Sequence, residues 1–256
     1  MTTHKRLIFT LLYDSGSFML SRNFRLQKIG NLTWLEENYG FSKVGLAIDE
    51  LVVLDVSRQA RNLEKFCEDL KSLTNNCFAP IAAGGGVKSV EHAATLLRSG
   101  ADKVVLNTAL HDQPELVTEF AEKFGNQCIV ASVDYETVDT QFIVTKKNGF
   151  ERTNIALEQF LQHLADFPIG EIYLNSITQD GTGNGLNLAI LDLVSPVAST
   201  PLILAGGVGN SQHIIKGLKD HRVDAVATAN LLNFMGDGLN QARENIIRSG
   251  VNLPIF

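Results

Sequence analysis

The chain repeats itself, and the repeat limits the folds open to it. Pro80-Ile-Ala-Ala-Gly-Gly-Gly-Val87 returns as Pro201-Leu-Ile-Leu-Ala-Gly-Gly-Val208. Asp102-Lys-Val-Val returns as Asp224-Ala-Val-Ala, and Glu50-Leu-Val-Val-Leu as Glu171-Ile-Tyr-Leu-Asn. Each offset is 121 or 122 residues in a chain of 256. Two copies of one unit imply two-fold pseudosymmetry, with any site built from two mirrored halves.

Within the repeat, short apolar runs alternate with amphipathic stretches. The predicted strands are Leu7–Leu12, Glu50–Leu54, Ala79–Ala83, Lys103–Leu106, Cys128–Val133, Glu171–Leu174, Leu202–Ala205 and Ala225–Thr228. Their nearly continuous Val, Ile and Leu content suits parallel strands buried on both faces. Helical periodicity marks Ala60–Leu73, Val90–Ser99, Pro114–Phe124, Ile155–Asp166 and Ser211–Asp220. Asp112-Gln-Pro-Glu is a helix start, and Ser99-Gly and Phe124-Gly are helix stops. Eight strands with intervening helices in about 250 residues fit a (βα)8 TIM barrel. A doubly wound sheet is the rival, and the duplication favours the barrel. No linker or low-complexity stretch interrupts the repeat, so residues 1–256 read as one barrel domain.

Composition removes several function classes. A formal charge of −6 with no basic run argues against nucleic-acid binding, which needs clustered Lys and Arg against phosphates. The N-terminal apolar stretch, Leu7–Tyr13, is too short to span a bilayer, so no membrane segment is expected. Cys67, Cys77 and Cys128 are odd in number and lack metal spacing, which suits a reducing cytoplasm and no bound metal or cofactor. His92, His111 and His213 read as packing or surface residues, and Trp34 as part of the first barrel helix.

Chemistry concentrates at the ends of the predicted strands. Gly84-Gly85-Gly86 and Gly206-Gly207 each follow a strand and precede a helix. Glycines there let backbone N–H groups approach an anion, and the matching pair suggests a ligand with two phosphates. Asp180-Gly181-Thr182-Gly183-Asn184-Gly185 follows the sixth strand and offers a carboxylate for acid–base work. Asp134 closes the fifth strand and Asp55 the second, while Asn107, Thr108, Ala229 and Asn230 stand after the fourth and eighth.

These residues, in this order, resemble the cyclase subunit of imidazole glycerol phosphate synthase. The carriers are Lys5-Arg6, Ile48–Asp55, Gly84–Val87, Gly100–Thr108, Val133-Asp134, Gly170-Glu-Ile, Ser176–Thr182 and Gly206-Gly207. The resemblance implies a barrel paired with a glutaminase subunit whose ammonia passes through it to a bis-phosphorylated ribulosyl nucleotide. Lyase and cyclase chemistry then gives imidazole glycerol phosphate and an aminoimidazole nucleotide. Carried over residue by residue, Arg6, Glu50, Lys103 and Glu171 become an ammonia gate, and Asp102 a glutaminase contact. Gly86, Asn107 and Thr108 become one phosphate site; Gly181, Thr182, Gly207, Ala229 and Asn230 serve the other.

The match fails at one place. The family uses two catalytic aspartates; Asp134 takes the place of one, but the other falls on Leu12. Asp14 lies two residues on, and is the candidate replacement alongside Asp180. A lysine that closes over the substrate falls on Leu20, with Arg22 nearby. Three expectations follow. The chain is a paralogue delivering ammonia to an acetamido sugar for surface polysaccharide, beside a separate sugar amidotransferase. Alternatively it is a true histidine-biosynthesis cyclase, or a non-catalytic scaffold that activates the glutaminase.

Overall fold

The computed structural model describes residues 4–39 and 44–254. Barrel strands and helices follow in the order β1 (Arg6–Asp14), β2 (Ser17–Arg22), β3 (Arg25–Gly30), α1 (Leu32–Tyr39), β4 (Glu50–Asp55) and α2 (Leu63–Asn76). Next come β5 (Ile81–Gly84), α3 (Val90–Arg98), β6 (Lys103–Leu106), α4 (Ala109–Asp112), α5 (Pro114–Phe124), β7 (Ile129–Val138), β8 (Gln141–Lys146) and β9 (Glu151–Ala156). The chain ends with α6 (Leu157–Leu164), β10 (Glu171–Ser176), β11 (Leu202–Ala205), α7 (Ser211–Leu218), β12 (Ala225–Thr228) and α8 (Gly238–Arg248).

Eight of these strands pair in parallel in the order β1-β4-β5-β6-β7-β10-β11-β12, and β12 returns to β1. This is the expected (βα)8 barrel, with its two halves beginning at β1 and β7. Side chains alternate along each strand. One set, including Ile8, Val52, Val105, Val130, Tyr173 and Ile203, fills the bore. The other, including Leu11, Leu51, Val104 and Leu174, packs outward under the helices.

Local signals end the helices where expected. Pro114 opens α5 and Gly125, at φ 89°, closes it. Ser89 caps α3 by accepting the His92 N–H, and Asn210 caps α7 in the same way. The repeated aspartates have a structural use as well. Asp102 accepts the Ile81 N–H at 2.8 Å, and Asp224 accepts that of Leu202 at 2.8 Å. Each therefore satisfies the first donor of the neighbouring strand.

Five strands run beyond their expected ends, β4, β5 and β10 by one or two residues and β1 and β7 into ribbons. β1 continues past Leu12 and turns at Ser15-Gly16 into an antiparallel ribbon with β2 and β3. β7 continues past Asp134 to Val138 and forms a matching ribbon with β8 and β9. Asp134 thus sits within its strand, at the level where the barrel opens.

The ribbons escape an apolar-run search because their exposed faces are polar. Arg25-Leu-Gln-Lys-Ile-Gly is one such strand. Asn148-Gly149, at positive φ in the β8–β9 turn, was the legible hairpin signal. Trp34 lies in α1 and packs on the core beside Gly30 and Tyr39, as read from the sequence.

Candidate active site

The floor of the barrel, where the strands begin, carries a closed ring of four charges. Arg6 Nη1 lies 2.7 Å from Glu50 and 2.8 Å from Glu171. Lys103 Nζ completes the ring at 2.9 Å from Glu50 and 3.0 Å from Glu171. The four side chains come from the first residues of β1, β4, β6 and β10, so strand register alone brings them together. Burial and the neighbouring Glu171 push the Glu50 carboxyl above its usual range, against the pull of Lys103 and Arg6. Its Oε1 is buried without a hydrogen-bond partner among the described residues.

The opposite end of the barrel opens into a cavity of about 1060 Å³. Of the expected site residues, Asp134, Asp180, Asp55, Gly86, Asn107, Thr108, Gly181, Gly207, Ala229 and Asn230 all line it. Asp14 and Thr182 do not. The Asp14 carboxylate receives the Ser15 hydroxyl, and the Thr182 hydroxyl donates to the Gln179 carbonyl.

Asp134 is the central carboxylate. Asn107 Nδ2 donates to its Oδ2 at 3.1 Å, and Asn175 Nδ2 to its Oδ1 at 3.1 Å. Burial pushes its pKa up to about 7; Asp180 adds to the rise, and the two amides restrain it. A carboxyl balanced near neutrality can both accept and return a proton. Asn175 was not read from the sequence as a site residue; its position beside Asp134 is a register relation between β10 and β7.

Asp180 is tied differently. Its carboxylate accepts from the Ser21 hydroxyl and, at 3.0 Å, from the Phe24 N–H. It anchors the β2–β3 ribbon, which crosses the mouth. The ribbon tip meets the β8–β9 turn, where a Cβ on Gly149 would touch the Phe24 ring at 2.8 Å. Arg58 joins both, donating to the Phe24 carbonyl and lying 4.7 Å over the Phe150 ring. Leu20 and Arg22 both lie on this ribbon and line the cavity.

Both glycine turns come close to neighbouring backbone. A Cβ on Gly85 would lie 2.3 Å from the Asp55 carbonyl oxygen, and one on Gly207 would lie 2.1 Å from that of Gly185. Asp55 itself accepts the Ser57 N–H at 2.9 Å and faces Arg61 at 3.7 Å.

His111 and His213 are packing groups. His111 stacks on Phe160 at 4.2 Å and burial lowers its pKa to about 4; His213 accepts the Gly209 N–H. No group of metal-ligating side chains occurs among the described residues. Among them, no helix is long and apolar enough to cross a membrane.

A parallel (βα)8 barrel, with a carboxylate poised near neutrality between two glycine turns at the C-terminal strand ends, has the form of a barrel enzyme. The chain belongs to the histidine biosynthesis protein family, whose sequence profile matches residues 42–236. It is 44% identical to a putative imidazole glycerol phosphate synthase subunit hisF2 of Parasynechococcus marenigrum (strain WH8102), over 95% of this chain and 91% of that one. It is 35% identical to the imidazole glycerol phosphate synthase subunit HisF of Chlorobaculum tepidum, over 98% and 99% of the two chains. The corresponding subunit of an Exiguobacterium species is 32% identical over 90% and 88%. The resemblance drawn from the sequence motifs is borne out.

Proposed function

We propose that this chain is the ammonia-using barrel subunit of a glutamine-dependent synthase. It receives ammonia at its floor from a glutaminase subunit and adds it to a phosphorylated acceptor at its mouth. The four-charge floor ring carries this reading. Such a ring is expensive to desolvate, and replacing it by apolar side chains would often stabilise a fold, which favours a function for it. Leu46 and Phe78, exposed at 60% and 83%, lie beside this floor and suit a docked protein.

Above the ring, Ile8, Val52, Val130 and Ile203 make the bore apolar. Neutral ammonia passes such a lining at far lower cost than ammonium, so the ring is where a proton would be left behind. At the mouth, Asp134 takes a proton from the attacking nitrogen, while the glycine turns beside Gly86 and Gly207 hold phosphate. The three unpaired cysteines suit a cytoplasmic location.

A second feature bears on the acceptor. Leu12 supplies no carboxylate opposite Asp134, which favours an acceptor other than the ribulosyl nucleotide, such as an acetamido sugar, with a separate sugar amidotransferase working alongside. The test uses the purified chain, excess ammonium and the bis-phosphorylated ribulosyl substrate, with Asp134→Asn as control. Turnover abolished by that substitution supports a histidine-biosynthesis cyclase. Bound substrate without turnover overturns it in favour of the sugar-amidating paralogue.

A further inference from the structure

The pseudosymmetry of the barrel supplies an internal comparison between its two anion sites. Both have a glycine turn, Gly84–Gly86 after β5 and Gly206–Gly207 after β11, with positive φ at Gly85, Gly86, Gly206 and Gly207. Around the first turn the cavity is lined by Arg58, Arg61 and Lys88. At the repeat offset of 121, their counterparts are Gln179, Thr182 and Gly209, none of them charged. The loops after β10, β11 and β12 contribute no cation to the cavity wall. The Gly207 side therefore draws no cation from its own loops, and has only Arg22 of the ribbon, packed on Gly181, whereas the Gly84–Gly86 side has three cations in its own loops.

Further positive charge comes from above. Arg22 and Arg25 both line the cavity and sit opposite each other across the two-residue turn of the β2–β3 ribbon. Like charges placed directly across a strand pair are destabilising unless something of opposite sign lies between or beside them. Arg22, Arg25, Arg58 and Lys88 form no ion pair with a described residue. Arg61 faces Asp55 at 3.7 Å, and its guanidinium packs on Gly86, where a Cβ would meet Nη1 at 2.7 Å. Lys147, also on the wall, is engaged by Glu151 at 2.6 Å. Of the four wall carboxylates, Asp55 is held by Arg61 and the Ser57 N–H, Asp112 by Lys146, Asp134 by two amides and Asp180 by the ribbon. None is placed to neutralise the free arginines.

This surplus of positive charge exceeds the charge of one phosphate monoester. We infer that the Gly86 side of the mouth binds a diphosphate group, such as that of a nucleoside diphosphate. One phosphoryl lies in the Gly84–Gly86 turn beside Arg61, and the second lies between Lys88 and Arg25. The Gly207 side is left for an uncharged or singly phosphorylated end. The inference rests on reading this mouth as the acceptor site, and it replaces the symmetric bis-phosphate expectation with a one-sided anion.

The test is calorimetric titration of the whole chain with inorganic pyrophosphate and with orthophosphate. Pyrophosphate is expected to bind one site per chain, about tenfold or more tighter than orthophosphate. The double variant Arg25→Gln, Lys88→Gln removes two exposed, unpaired cations, one from the first residue of β3 and one from the loop before α3, both outside the barrel core. It is expected to weaken pyrophosphate about tenfold and orthophosphate less than about threefold, with an unchanged melting temperature. Equal affinity for the two anions overturns the inference, as does an equal loss for both in the variant. Discrimination without turnover of the ribulosyl substrate supports the diphosphate site while the histidine reading fails. Turnover without discrimination does the reverse.

Discussion

Leu12 and Asp134 occupy equivalent places in the two halves of the barrel. Leu12 pairs across the sheet with Leu54, and Asp134 pairs in the same way with Asn175. The offsets are 122 and 121 residues, matching the internal repeat. One half of the mouth floor is therefore an acid held by an amide, and the other is two leucines. The register of β1 is fixed by its pairing with β4, so the leucine is no accident of alignment. Asp14, two residues on, belongs to the ribbon turn and leaves the leucine half without an acid.

Asp134→Asn is expected to lower turnover by about 10²–10⁴-fold, the range for losing a positioned acid or base. The native rate should rise as pH passes about 7, where the carboxyl loses its proton. The sign for stability is opposite. The folded pKa is raised, so stability is fullest below about pH 4 from this group and is lost as pH rises through 7. By linkage the loss is on the order of 4 kcal/mol at most. Urea denaturation at pH 5 and 8 should show the asparagine variant gaining relative to native at the higher pH.

Lys103→Met leaves Glu50 and Glu171 sharing Arg6 alone. Breaking a buried ion pair on one side typically costs about 3–5 kcal/mol, and the lower end suits a lysine still a fifth exposed. Glu50 already has a raised pKa, so the loss should grow with pH. A paired readout separates gate from scaffold: with a glutaminase partner, the glutamine-driven rate should fall more than the ammonium-driven rate.

Leu12→Asp places a carboxylate at a site only 9% exposed, beside Leu54. About 3 kcal/mol of stability should be lost at pH 8, from the missing leucine and the desolvated charge, and less at pH 5. Thermal melts at the two pH values check this. Turnover of the ribulosyl substrate in this variant, absent from the native chain, would locate the divergence at this residue.

The two glycine turns should differ in tolerance. Gly207→Ala puts a Cβ 2.1 Å from the Gly185 carbonyl oxygen at φ +95°, a clash between backbones that cannot move aside. A loss of about 3 kcal/mol is expected. Gly86→Ala, at φ +62°, meets the movable end of Arg61 and should cost about 1 kcal/mol. Differential scanning calorimetry of the two variants gives the comparison.

The barrel was legible in the sequence because its causes are local and repeated. Lys103–Leu106, Leu202–Ala205 and Ala225–Thr228 are strands over the same residues that their hydrophobicity marks. The glycine turns and the floor charges stand at strand ends, where position in the chain fixes position in the barrel; Asp134 lies within β7, which runs on to Val138. The internal repeat carried the two-fold symmetry.

Other features depended on contacts between distant segments. The extension of β1 and β7 into ribbons, the partnership of Asn175 with Asp134, and the anchoring of the β2–β3 ribbon on Asp180 join residues up to 159 positions apart. A sequence records which side chains are present, and strand periodicity records which way they point. Which carboxylate is buried, and so shifted toward neutrality, depends on desolvation and on amides supplied by neighbouring strands. Only the closed barrel sets those distances. The same closure separates Asp14 at the rim from Asp134 within the cavity, although the two look alike as acids beside apolar runs.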